Sequence, residues 1–220
     1  MMKESLPTTQ WFFKHFERIL GFSDGVFSIA ITLMVLSLSV PVLTGSSAGP
    51  DLSAGLVAEW PAFLGYLVSF FVIGTWWTVH HRYFQYLTGF DLRLLWLNLL
   101  FLLGITLIPF LTNLIIIYHD SVLAVSLYAL VQALAGGFMY AIWKYSTDHH
   151  RFVDPSMNPA FVRFLSFRSF IVIILFLASI PVAFLSPMAA QISWAVIPFF
   201  HEFIARHGPG GYQFGDEESE

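Results

Sequence analysis

The sequence predicts an all-α integral membrane protein with six transmembrane helices. Three observations carry that expectation. Of the 220 residues, 57% are hydrophobic and 11% are charged, whereas an ordinary soluble domain carries about 25% charge. The mean hydropathy is +0.72. The apolar runs are too long for barrel strands and match the roughly 20 residues a helix needs to cross a bilayer. The net charge of −4 carries little information, because the acids concentrate in the C-terminal tail, and no nucleic-acid partner is expected. There is no cysteine, hence no disulfide and no thiol chemistry.

Residues 1–17, with Lys3, Lys14, His15 and Glu17, form a polar N-terminal segment. The first span is expected over about 19–40, stopped by Pro41, with a Gly/Ser/Pro loop over 44–50. Residues 25–43 resemble a secretory signal core followed by Ser46-Ser47-Ala48. Such a core is about 7–15 residues long, and this run is longer, so it is assigned as a span. Residues 51–59 have a weak amphipathic pattern at best. Further spans are expected over about 60–80, 94–117 (interrupted by Pro109), 121–143, 164–185 (with Pro181 inside) and 188–204. The last is the weakest, carrying Pro198, His201 and Glu202. The transmembrane domain therefore covers 18–205, and 206–220 is an acidic, Gly-rich tail expected to be disordered.

Basic residues fix the expected topology. All ten fall on alternate connections: Lys3, Lys14 and Arg18; Arg82 and Arg93; Lys144, Arg151, Arg163 and Arg168; and Arg206. Because basic loops stay cytoplasmic, both termini are expected inside a cell membrane, and the number of spans must be even.

An acid near the start of the first span is costly, about 2.5–3.5 kcal/mol on insertion scales, and needs partners. Asp24 lies six residues after Arg18, about 9 Å deeper along a helix. With the expected topology, Arg18, Phe22, Ser23, Asp24, His80, His81 and Asn98 share one inner-leaflet layer. Their guanidinium, hydroxyl, imidazole and amide groups suit a polar clasp around Asp24 that ties three helices together. Adjacent histidines point about 100° apart on a helix, so His80 and His81 are poorly placed to share a metal ion, and no structural metal is expected. No Gly-x-Ser-x-Gly, His-Glu-x-x-His or phosphate loop occurs; neither an enzyme nor a cofactor is expected. Beyond Asp24, Ile29, Leu33, Leu36 and Val40 fall on one helical stripe, with Thr32 at its edge. By periodicity alone helix packing or lipid contact is the first reading of that stripe, and a pore the second.

Arg18-x-x-x-Phe22-Ser23-Asp24, followed by Gly25-Val26-Phe27-Ser28-Ile29-Ala30-Ile31-Thr32-Leu33, resembles the signature of the transmembrane protein 175 family of potassium channels. The stretches Phe70 to Arg82 and Asn98 to Phe110 are similar too. The resemblance is specific over 18–111 and weak afterwards. Animal members carry two six-helix repeats and this chain one, which implies a homotetramer. The resemblance further implies a central pore lined by the first helix of each subunit. Its apolar constriction would be formed by Ile29, then Leu33 and Leu36, with Thr32 and Ile29 setting a preference for K+. Other monovalent cations and protons are further expected permeants. A ring of branched apolar side chains gates by dewetting. No Thr-Val-Gly-Tyr-Gly filter is present, and Gly210-Gly211-Tyr212 lies in the polar tail. The competing expectation is a proton-coupled secondary transporter using Asp24 and His80 as a relay; a non-conducting scaffold is a third.

Overall fold

A chain this apolar has to satisfy its backbone within each segment, and it does so as helices. The computed structural model describes residues 8–41, 48–194 and 197. In these, α1 covers Thr8–Leu33, α2 Ala48–Ala58, α3 Trp60–Phe84, α4 Leu92–Ile117, α5 Val122–Thr147 and α6 Pro159–Leu185. Among the described residues, five segments are long and apolar enough to cross a membrane: Phe16–Leu36, Trp60–Phe84, Leu92–Ile117, Val122–His150 and Pro159–Leu185. The protein is thus an all-helical, multi-pass membrane protein. Helical turns continue over 187–194, but most of the sixth expected span, 188–204, lies outside the described residues. So do 1–7, most of the 44–50 loop, and the 206–220 tail with its Gly210-Gly211-Tyr212.

Short polar residues start α4, α5 and α6. Asp91 Oδ1 accepts from Leu94 N at 2.8 Å, Asn158 Oδ1 from Ala160 N at 2.8 Å, and Ser121 Oγ from Ala124 N at 3.4 Å, each satisfying an amide with no helical partner. Proline stands at the first turn of α3 and of α6, where its missing N–H costs nothing. α5 packs along both α4 and α6, and α1 packs on α3 and α4. The α4–α5 approach is close: a Cβ at Gly104 would sit 3.1 Å from that of Ala135, the small-residue contact that lets membrane helices come together.

The helix limits differ from expectation at several points. α1 starts at Thr8, so much of the expected N-terminal segment is continuous with the first span. At its other end the α-helix stops at Leu33, a 3-10 turn covers Met34–Ser37, and Leu38 is extended (φ −87, ψ 125), well before Pro41. Val35, Ser37, Ser39 and Val40 are poor helix formers, and 3-10 turns commonly end helices. Arg168, counted with a connection in the sequence, is buried within α6. Ser169 beside it meets the hydroxyl of Tyr83 on α3.

Candidate functional site

α1 has two faces. Ser23, Phe27, Ala30 and Met34 recur at the i, i+4, i+7, i+11 spacing and are buried against the subunit core. Phe27 meets His80 edge-on at 5.6 Å and lies 5.9 Å from Phe101. The opposite face carries Phe22, Ile29, Leu33 and Leu36, all exposed; Ile29 is 60% exposed and Leu36 74%. The stripe is therefore not spent on packing inside the subunit. Leu36 stands on the 3-10 turn, and Val40 on the extended segment beyond it, so neither follows the α-helical projection. Ser28 Oγ donates to Asp24 O at 2.8 Å, and Thr32 Oγ1 to Ser28 O at 2.9 Å and Ile29 O at 3.0 Å. These protons are turned back into the helix, which leaves lone pairs on both hydroxyl oxygens unused by these bonds.

The polar layer divides. Asn98 of α4 is its centre: Nδ2 donates to Ser23 Oγ at 3.0 Å, and Oδ1 pairs with His80 Nε2 at 3.0 Å. Ser23 in turn donates to Ile19 O at 3.0 Å. An amide oxygen only accepts, so the network assigns the proton to Nε2 of His80. All three side chains are buried. The His80 ring is stacked on Phe84 at 4.1 Å and on Phe101 at 5.7 Å. This buried chain joins α1, α3 and α4.

Asp24 points elsewhere. Its neighbour Ser23 faces the core, and successive side chains on a helix diverge by about 100°. Asp24 is exposed, and its Oδ1 accepts from Trp77 Nε1 at 2.9 Å. His81 is exposed, stacked 5.6 Å from Trp77, and its Nε2 accepts from Gln85 Nε2 at 2.8 Å. Arg18 and Phe22 line a groove of about 430 Å³ with Leu95, Trp96 and Leu99 of α4, and Asn98 borders it from its buried side. The residues grouped by sequence thus occupy three settings. The donor for Asp24 is Trp77, one helical turn before His81, and sequence reasoning missed it although an indole N–H in that turn was the available signal. Phe101, the ring against which His80 and Phe27 pack, was missed as well. The relay expected of a proton-coupled carrier would join Asp24 to His80, but the two have different hydrogen-bond partners. Among the described residues no group of three or more His, Asp or Glu is placed to hold a metal ion.

Residues 18–109 match the family described as "Endosomal/lysosomal potassium channel TMEM175". A potassium channel of Streptomyces collinus is 37% identical over 145 residues, which cover 64% of this chain and 69% of that one. The chain belongs to the TMEM175 family. The crystal structure of a homolog, from Chamaesiphon minutus, of the lysosomal potassium-selective channel TMEM175 superposes with a TM-score of 0.73 at 29% identity; the match covers 86% of this chain and 97% of that one. The chicken endosomal/lysosomal proton channel TMEM175 is 31% identical over 144 residues, 61% of this chain but 29% of that longer protein. The TMEM175 match contains the exposed stripe, the Ser23–Asn98–His80 chain and the Asp24–Trp77 pair, and it ends before α5.

Proposed function

We infer that this protein is a potassium channel that passes ions passively through a membrane. Membership of the TMEM175 family supports that activity, together with its similarity to a potassium-selective channel and to a potassium channel of Streptomyces. The observation that carries the location of the path is the unburied stripe of α1, Ile29–Leu33–Leu36, opposite a fully packed face. In a homotetramer, closed symmetry repeats each residue in a ring. Four copies of the stripe around one axis form an apolar neck that stops hydrated ions when narrow. The hydroxyl oxygens of Ser28 and Thr32 lie beside that neck and favour a partly dehydrated K+. Six spans, with both termini cytoplasmic in a cell membrane, agree with the distribution of Lys and Arg. Protons are a second permeant, supported by the naming of the chicken relative as a proton channel.

The test is Ile29→Asn in the full chain, reconstituted in planar bilayers. The expected outcome is a rise in K+ current and a loss of preference over Na+, because a polar ring holds water in the neck. Unchanged conductance and preference would remove Ile29 from the ion path.

A further inference from the structure

We propose that Tyr145, with Asp91 and Arg151, is a latch that positions α4 and, through Asn98, sets the rotation of α1. The inference rests on the channel reading above and concerns residues away from the α1 stripe.

At the end of the bundle where α3 turns into α4, one hydroxyl joins three segments. Tyr145, in the last turns of α5, donates from Oη to Asp91 Oδ2 at 2.5 Å. The other oxygen of the same carboxylate caps α4 at Leu94 N. Tyr145 Oη also accepts from Arg151 Nη1 at 3.0 Å. The Arg151 guanidinium lies 4.4 Å from the Tyr145 ring centroid, and that of Arg93 lies 5.5 Å away. The phenol therefore sits between an anion and two cations, with a charge-assisted bond at each side of its oxygen.

Arg151 reaches this position because the chain reverses directly after α5. His149 and His150 adopt φ of 50 and 53, a left-handed conformation unfavourable for residues bearing a Cβ. Phe152 N then donates back to Ser146 O at 2.9 Å, and Thr88 N donates to Phe152 O at 2.8 Å. The Phe152 ring fills the space over Gly89, where a Cβ would come within 2.7 Å of it. These main-chain ties hold the α5–α6 connection onto the α3–α4 turn without the Tyr145 hydroxyl. What the hydroxyl adds is a grip on the carboxylate that starts α4.

That grip leads to the site. Asn98 follows Asp91 by seven residues, about 10 Å along α4, and Asn98 is the donor to Ser23 on the packed face of α1. α1 itself packs on α3 and α4, so the α5–α6 half acts on it through them. Tyr145 is a positioning residue: it touches no part of the ion path.

Single-channel recording of reconstituted Tyr145→Phe, which keeps the ring and removes the hydroxyl, tests the latch. The expected result is an open probability changed about two- to tenfold, the equilibrium shift of one hydrogen bond, at unchanged unitary conductance and ion preference. Arg151→Gln, which leaves the Tyr145–Asp91 bond in place, should shift it in the same direction by less. In combination with Ser23→Ala the Tyr145→Phe effect should be non-additive. Wild-type open probability in Tyr145→Phe, an altered unitary conductance, or full additivity with Ser23→Ala would overturn the latch. If Tyr145→Phe fails to assemble, the same readings on Arg151→Gln decide. A wild-type chain that passes no current fails the channel reading itself, a different result from a conducting wild type matched by its variants.

Discussion

The two ends of the α1 span are held by different forces. Near its start, Ser23 is fixed by directional bonds to Asn98 and, through Asn98, to His80. Further along, the residues α1 turns inward are Phe27, Ala30 and Met34, held by apolar and ring contacts rather than by side-chain hydrogen bonds to another helix. The hydroxyls there, Ser28 and Thr32, bond to carbonyls of α1 itself. A hydrogen bond defines an orientation to within tens of degrees; apolar contact tolerates a small turn at little cost. The difference teaches that α1 is tied by hydrogen bonds at Ser23 and by apolar and ring contacts beside Ile29, Leu33 and Leu36, which suits the gate proposed there.

The largest effects should separate stability from gating. Met34→Ala removes a fully buried side chain and should cost about 2–4 kcal/mol. It would be read as a lowered thermal midpoint in detergent, with only a modest change in open probability. Asn98→Leu leaves the His80 N–H without its acceptor and should cost less, about 1–2 kcal/mol, yet move open probability far more than Met34→Ala does. The opposite ranking in recordings would reverse the comparison.

A smaller effect is expected at Thr32→Val. The hydroxyl donates only to its own helix, so stability should change by no more than about 0.5 kcal/mol. Preference for K+ should fall, as measured by the reversal potential under K+/Na+ gradients; an unmoved reversal potential would take the Thr32 oxygen out of the path.

The smallest concerns the far side of the hydrogen-bonded end. Burial raises the Asp91 carboxyl, but the Tyr145 hydroxyl, the Leu94 amide and Arg151 together outweigh it and hold the group below the usual carboxylate range. A depressed folded value means the stabilisation is present above the unfolded value, about 3.9, and is lost as pH falls through the folded one. Thermal midpoints should therefore show an acid-side decline below about pH 4 that is shallower in Asp91→Asn. Equal slopes would mean that Asp91 contributes nothing to acid sensitivity.

The helical class and the long apolar segments were legible because backbone satisfaction in a bilayer leaves few alternatives, and a run of apolar residues declares itself. Proximity was legible in part: Ser23, His80 and Asn98, scattered in sequence, do meet. Direction was not. Ser23 and Asp24 are neighbours in sequence, and only the packing of α1 against α4 decides that the serine turns inward and the acid outward to Trp77. The end of α1 was hidden for a related reason. Pro41 is an obvious stop, whereas the weak helix formers before it end the helix by an accumulated deficit that no single residue announces. Arg168 looked like a loop cation because composition cannot tell that a guanidinium has a place inside a helix packed beside Tyr83. The Tyr145–Asp91 contact joins residues 54 apart and leaves no local pattern.

The 3-10 turn at Met34–Ser37 gives the chain the geometry of a screw. A 3-10 turn rises about 2.0 Å per residue and advances about 120°, against about 1.5 Å and 100° for an α-helix. Rewinding those residues to α-helical pitch would shorten the segment by about 2 Å and swing whatever follows it by about 80°. Leu36, third in that coil directly after Leu33, would take about three quarters of the stroke, about 60° and 1.5 Å.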